Sequence, residues 1–209
     1  MNKTEINLIH FGDHCAPGII INDILKVNKK QLFILVIYEF NYIIKYLQDD
    51  TLDKIYDKKY LKKEYNKTKH LSYNFIFNHD YNYDEYSNII NYDFKKSRFI
   101  EKIKNYNEIF KLNMFNIFIN FTQNVNNLNI DGFLQLYKNK INFHLIIFTN
   151  NDYNSINHEN ISIVKLKNNY EAWYSMNKNT KNILYEEIYM RFIEVLNKNK
   201  IIHNFPSLI

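Results

Sequence analysis

The stretch Ile6-Asn7-Leu8-Ile9-His10-Phe11-Gly12-Asp13-His14-Cys15-Ala16-Pro17-Gly18 decides the fold. Its apolar half, Ile6 to Phe11, reads as a short buried strand. Gly12 then breaks the strand, and Pro17 sits where proline favours a helix start, because its missing N–H is one that the first helical turn leaves unbonded. Ile20, Asp23, Ile24 and Lys26-Val27 carry that helix. A strand that turns tightly into a helix is the opening unit of an α/β sheet.

The same alternation runs downstream. Gln31 to Ile37 is apolar enough for a strand but could equally open the next helix, and periodicity does not decide between them. Phe40, Ile43, Ile44 and Leu47 have helical spacing, so a helix is expected over Glu39 to Gln48. Asp49 to Lys69 is charged and mixed, a surface excursion with some helix. Leu71 to Phe77 alternates like a strand and ends at Asn78-His79-Asp80. Asp93 can cap a helix in which Phe99, Ile103, Tyr106 and Phe110 recur at i, i+4, i+7 and i+11. Met114 to Phe121 is a strand and Asp131 to Lys138 a short helix. Phe143 to Thr149 and Ile161 to Leu166 are strands. A long final helix covers Thr180 to Asn197, with Ile183, Ile188, Phe192 and Leu196 as core positions. The expectation is one α/β domain over residues 1–209, whose five strands share a single, mainly parallel sheet flanked by helices.

Composition agrees. A chain of 209 residues with 46% hydrophobic residues can build one sizeable core, and only three glycines and two prolines argue against a loop-dominated protein. The abundance of Ile, Asn, Lys, Tyr and Phe reads as the A/T-rich codon bias of a viral or parasite genome. One cysteine cannot form an internal disulfide. No signal-peptide pattern opens the chain, and no run approaches the roughly 18 apolar residues of a membrane span. A reducing, cytoplasmic setting is expected (the host cytoplasm for a viral protein), with no membrane partner. The net charge is +5, from 27 basic and 22 acidic residues. The excess reads as spread along the chain, densest at Lys58-Lys59 and Lys62-Lys63, which Glu64 follows. A nucleic-acid footprint clusters on one face, so nucleic acid is not an expected partner.

Cys15 carries the distinctive chemistry. A thiol in the first turn of a helix meets unbonded N–H groups and the positive end of the helix dipole. Both favour thiolate and lower an ordinary pKa of about 8.5. The same amides could bind an oxyanion formed on a carbonyl. The plainer alternative is a small buried apolar residue. A catalytic thiol needs a base near in space rather than in sequence. His79 is the candidate, beyond the carboxyl end of an expected strand, where α/β sites concentrate. Asp80, or a residue such as Asn120 on the next strand, could orient its ring; as an alternative, His79 is a surface-loop histidine. His14 adjoins Cys15 but would point elsewhere. His144 reads as a core or sheet-face residue, and His10, His70, His158 and His203 show no pairing. Without HExxH, CxxC, Walker or GxGxxG patterns, no metal and no cofactor are expected. Trp173 could line a site or pack the final helix, and packing is the favoured reading.

These residues resemble a family of papain-like cysteine peptidases from bacteria and large DNA viruses, long known as a domain of unknown function. Phe11-Gly12-Asp13-His14-Cys15 is similar to its Leu-Gly-x-x-Cys turn, and Phe77-Asn78-His79-Asp80 to its His-Asp element. Lys96-Ser97-Arg98-Phe99-Ile100-Glu101 followed by Phe115-Asn116-Ile117-Phe118-Ile119 is similar to its Arg-containing helix and strand, and Trp173 to its late tryptophan. Where the family has Pro-Phe-Asp-Trp, this chain has Gln31-Leu32-Phe33-Ile34-Leu35. The resemblance implies a thiol hydrolase or acyltransferase with its Cys/His site at strand ends. Cys15 would be the nucleophile, His79 the base and Asp80 its helper, and the substrate a protein or peptide. Two alternatives remain at this stage. One is a non-catalytic viral interaction protein that keeps the fold and binds a host protein. The other is an SGNH-type esterase, whose Gly-Asp-Ser block Phe11-Gly12-Asp13 resembles, although His14 stands in the serine's place.

Overall fold

The computed structural model describes residues 6–12, 15–25, 39–49, 54–65, 67–77, 83, 88–109, 114–203 and 205. In chain order the elements are β1 (Ile6–His10), α1 (Cys15–Leu25), α2 (Phe40–Gln48), β2 (Leu61–Glu64), β3 (Lys67–His70) and β4 (Ile76–Phe77), then α3 (Tyr92–Ile109), β5 (Phe115–Phe121), α4 (Ile130–Tyr137), β6 (Phe143–Thr149), β7 (Ile161–Lys165) and α5 (Lys178–Lys198).

Four strands form a parallel sheet in the order β1-β5-β6-β7, with Ile6 beside Phe115, Asn116 beside Phe143 and Leu145 beside Ile161. Every residue of β6 is buried. An inner parallel strand covered on both faces must be apolar throughout, and Phe143-His144-Leu145-Ile146-Ile147-Phe148 nearly is. Period-two alternation divides its side chains between two cores. Leu145 and Ile147 join Ile9 and Phe118 under α2, α3 and α4, packing on Phe40, Ile44, Phe99, Ile103 and Phe133. Ile146 and Phe148 join Leu8, Ile117 and Ile119 under α1 and α5, meeting Ile20, Ile21, Leu184, Ile188 and Phe192.

Local chemistry fixes the helix ends. The Asn129 side chain accepts from the Gly132 amide at 2.9 Å at the start of α4, and Asn177 does the same for Thr180 at the start of α5. Gly132 is needed for packing: a β-carbon there would lie 2.7 Å from Ile44 Cγ2 on α2.

Four of the five expected strands share the main sheet; the fifth does not. Only Ile76–Phe77 of the Leu71–Phe77 segment is a strand, and it belongs to a separate antiparallel sheet, β2-β3-β4. Residues 71–73 form a turn, and Asn74 has φ +53, which ends extension. The alternation misled because Tyr73, Phe75 and Phe77 are all buried even though the backbone between them is bent. Part of the expected surface excursion is that sheet's hairpin, β2 and β3. The small sheet is tied to the large one, since Tyr73, Phe75 and Phe77 share a hydrophobic cluster with Ile9, Phe11 and Phe118. In α5 the expected core residue Ile183 is 56% exposed, and Leu184 takes the inward position. Gln31 to Ile37 and Phe110 lie outside the described residues. No described helix is long and apolar enough to cross a membrane.

Candidate active site at the exit of the first strand

The last rung of the β1–β5 ladder is the Phe11 amide, which donates to the Ile119 carbonyl at 2.8 Å. The ring of Phe11 is fully buried, edge-on to Phe40, Phe118 and Phe133 at centroid distances of 5.2, 5.6 and 5.4 Å. This anchor fixes where the chain leaves the sheet. Gly12 follows with φ +118, a conformation that L side chains rarely adopt. The Asn120 side chain crosses from β5 and donates its Nδ2 to the Phe11 carbonyl at 2.6 Å. A β-carbon on Gly12 would stand 2.3 Å from that nitrogen. Gly12 therefore answers both a backbone and a steric demand.

Three residues beyond Gly12, α1 begins at Cys15. The first turn of α1 contains no acidic residue, so no side-chain carboxylate of that turn competes for its free amides. The helix is held by Ile20 and Ile21, buried against α5 and the 3-10 segment Tyr170–Ser175. Backbone geometry thus puts the cysteine position at a helix start just past the carboxyl end of a parallel strand, where open α/β sheets hold their ligands.

Asn120 is fully buried, and its Oδ1 has no hydrogen-bond partner among the described residues. With Nδ2 committed to Phe11, the amide orientation is set, and Oδ1 remains an acceptor beside the exit of β1. An imidazole N–H is the type of donor it could take.

His79 and Asp80 lie outside the described residues, as does His14. The strand before His79, β4, belongs to the small antiparallel sheet and not to the parallel one, so the carboxyl-end rule of parallel sheets does not apply to it. Among the described histidines, local partners account for four. His70 Nδ1 accepts from the Ser72 amide at 3.2 Å, and burial lowers the pKa of its ring. His158 Nδ1 accepts from the Asn160 amide, and His203 pairs with Asn197. His144 Nε2 lies 2.9 Å from Ser162 Oγ. Trp173 packs as expected: its Nε1 donates to Tyr185 Oη at 2.9 Å, with Lys181 Nζ 4.1 Å from the ring centroid.

The sequence did not single out a depression at the opposite, amino-terminal end of the sheet, about 470 Å³ in volume and lined by Phe115, His144, Glu159, Asn199 and Ile201. His144 in its lining pairs with Ser162, and the two look like a base and a nucleophile. Burial, aided by the nearby His158, pushes His144 down to about 4. A base that weak removes little of a serine proton at neutral pH, which disfavours a catalytic reading of the contact. Among the described residues no three His, Cys, Asp or Glu side chains converge as a metal site.

Comparison with protein-family models, with curated proteins and with solved structures finds no match for this chain. The likeness to papain-like peptidases consequently rests on the quoted motifs alone.

Proposed function

We propose that the protein is a cysteine-dependent hydrolase or acyltransferase of papain-like type, acting on an amide, thioester or ester bond of a protein or peptide. The observation that carries this reading is the start of α1 at Cys15, directly beyond the carboxyl end of β1. A thiolate there is favoured by the free amides and the dipole of the helix.

The chemistry follows from that placement. The Cys15 thiolate attacks the substrate carbonyl carbon, forming a C–S bond and a tetrahedral oxyanion. Amides of the α1 turn stabilise the oxyanion, and the leaving group departs with a proton from the His79 imidazolium. Water, or an acceptor nucleophile, then attacks the thioester while His79 takes its proton, and thiolate is regenerated. In this reading Asp80 orients His79, and the unsatisfied Asn120 Oδ1 is available as a further acceptor for an imidazole N–H. Phe77 is two residues before His79 and belongs to the same hydrophobic cluster as Phe11, four residues before Cys15.

The test is labelling of the native protein by a peptide-aldehyde or vinyl-sulfone probe selective for activated thiols. Labelling at Cys15 that is lost in His79→Ala supports the reading. No labelling of the wild-type protein, with the denatured protein fully reactive to iodoacetamide, overturns it in favour of a binding protein without turnover.

A further inference from the structure

The formal charge of the chain is not spread as its overall balance suggests. Residues 54–70, Lys-Ile-Tyr-Asp-Lys-Lys-Tyr-Leu-Lys-Lys-Glu-Tyr-Asn-Lys-Thr-Lys-His, contain seven lysines and two acidic residues, a net +5. That equals the net charge of the whole protein, so the remaining chain is neutral in sum. The fold collects the excess on one structure, a 3-10 segment (Lys58–Tyr60) running into the β2–β3 hairpin.

The hairpin has two different faces. Thr68 and His70 point inward and are buried. On the outward face Lys62 stands opposite Lys69, and Glu64 opposite Lys67. Like charges directly across a strand pair destabilise it. The single carboxylate, Glu64, reaches Lys69 at 3.2 Å. Lys62 and Lys67 have no ion-pair or hydrogen-bond partner among the described residues. Lys67 and Lys69 are about 6.7 Å apart along the strand, close to the repeat of phosphates on an extended nucleic-acid strand.

Aromatic rings are interleaved with these cations. Lys58 Nζ lies 4.5 Å from the Tyr92 ring centroid, Lys59 4.8 Å from Tyr60 and Lys63 4.9 Å from Tyr83. At the hairpin tip Tyr65 is 91% exposed in a left-handed conformation, φ +55. A tyrosine there buries nothing and sits where Gly or Asn would be less strained.

We propose that this lysine-lined hairpin is a binding surface for single-stranded nucleic acid, read without sequence specificity. Lysines supply point charges for phosphates, and Tyr65 supplies a face on which an unstacked base can lie. The segment holds no arginine, the residue that most often reads guanine edges in a duplex groove. A lipid surface fits less well. Interfacial binding needs an apolar face to insert, yet the exposed apolar side chains here, Tyr65 and Leu71, lie at opposite ends of β3. This surface is independent of Cys15, so its test does not depend on the hydrolase reading.

The experiment is fluorescence anisotropy with a dye-labelled oligothymidine of about twenty nucleotides, beside flotation with vesicles containing phosphatidylserine. The oligonucleotide should bind at low salt, with log K falling linearly against log [salt] at a slope of about −2 to −4, as expected for three to five neutralised phosphates. The triple variant Lys62→Gln/Lys67→Gln/Lys69→Gln should lose at least tenfold in affinity and show a shallower slope. Tyr65→Ala should weaken binding about 5- to 100-fold with the slope unchanged. The charge-matched control Lys138→Gln/Lys140→Gln/Lys178→Gln, at exposed sites on other elements, should bind like wild type. Equal losses in the two triple variants, an unaffected Tyr65→Ala, or binding to vesicles without binding to the oligonucleotide would each overturn the proposal.

Discussion

Asn120 and Gly12 share one space: the asparagine amide nitrogen stands 2.3 Å from where a β-carbon on the glycine would be, and it bonds the carbonyl of the residue before it. Side chain and turn are thereby coupled. Gly12→Ala should cost about 2–3 kcal/mol from backbone strain and overpacking together, a melting shift of about 5–10 °C for a chain of this size. Asn120→Ala removes the clash but not the strain. In a double-mutant cycle by thermal melting, the double variant should therefore lose less than the sum of the two single losses. Strict additivity would mean that the two residues do not compete for the space.

The cysteine prediction concerns rate. Cys15 in the native protein should react with iodoacetamide at pH 7 faster than a model thiol, and the pH dependence should place its pKa below about 8.5. His79→Ala should slow alkylation by at least tenfold without changing the circular dichroism spectrum. Asp80→Ala should give a smaller loss. Mass-spectrometric time courses on the three proteins distinguish a paired thiolate from a thiol that is merely exposed.

A stability prediction falls on α4. Phe133 is fully buried and meets Phe11, Phe118 and Phe143 at centroid distances of 5.4, 5.1 and 5.6 Å. Phe133→Ala should destabilise by about 3–5 kcal/mol, because the ring's neighbours come from three elements that cannot all collapse into the cavity. Denaturant titration reads the loss. Phe133→Leu should recover more than half.

His144 predicts an acid dependence. Its folded pKa is pushed down to about 4 from an ordinary 6.5. The group is neutral in both states above pH 6.5, and its full contribution to stability is present there. Between pH 6.5 and 4 the unfolded chain binds a proton that the folded protein does not. Stability is then lost as pH falls, by about 1.4 kcal/mol per pH unit and about 3 kcal/mol in all. His144→Gln should flatten the stability profile over that window, as measured by urea unfolding at a series of pH values.

What the sequence revealed depended on whether burial and backbone told the same story. For β5 and β6 they did: Ile117-Phe118-Ile119 and Leu145-Ile146-Ile147-Phe148 are apolar because both faces are covered, and their strands are legible. For Leu71 to Phe77 the alternation recorded burial alone, and the bend at Asn74 left no mark on it. Ile183 and Leu184 are adjacent and equally apolar, so composition could not say which faced inward. The candidate site was legible as far as Gly12 and Cys15, whose spacing implies a turn. The bond by which Asn120 holds the turn was not, because it spans 109 residues and needs the β1–β5 register. The charge concentration over 54–70 was present in the letters and hidden by counting over the whole chain.

The strand order carries a consequence for synthesis. β1 pairs only with β5, the two being joined through more than a hundred residues, and among the described strands no other lies beside it. A ribosome releases residues in order, so the segment that bears Cys15 waits, unpaired, until β5 has cleared the exit tunnel. Closing so long a loop is slow and entropically opposed. The turn around Gly12 cannot form its bond to Asn120 before then. Nascent chains interrupted before residue 120 would carry the thiol without its scaffold, which makes translation itself the timer for assembling this end of the sheet.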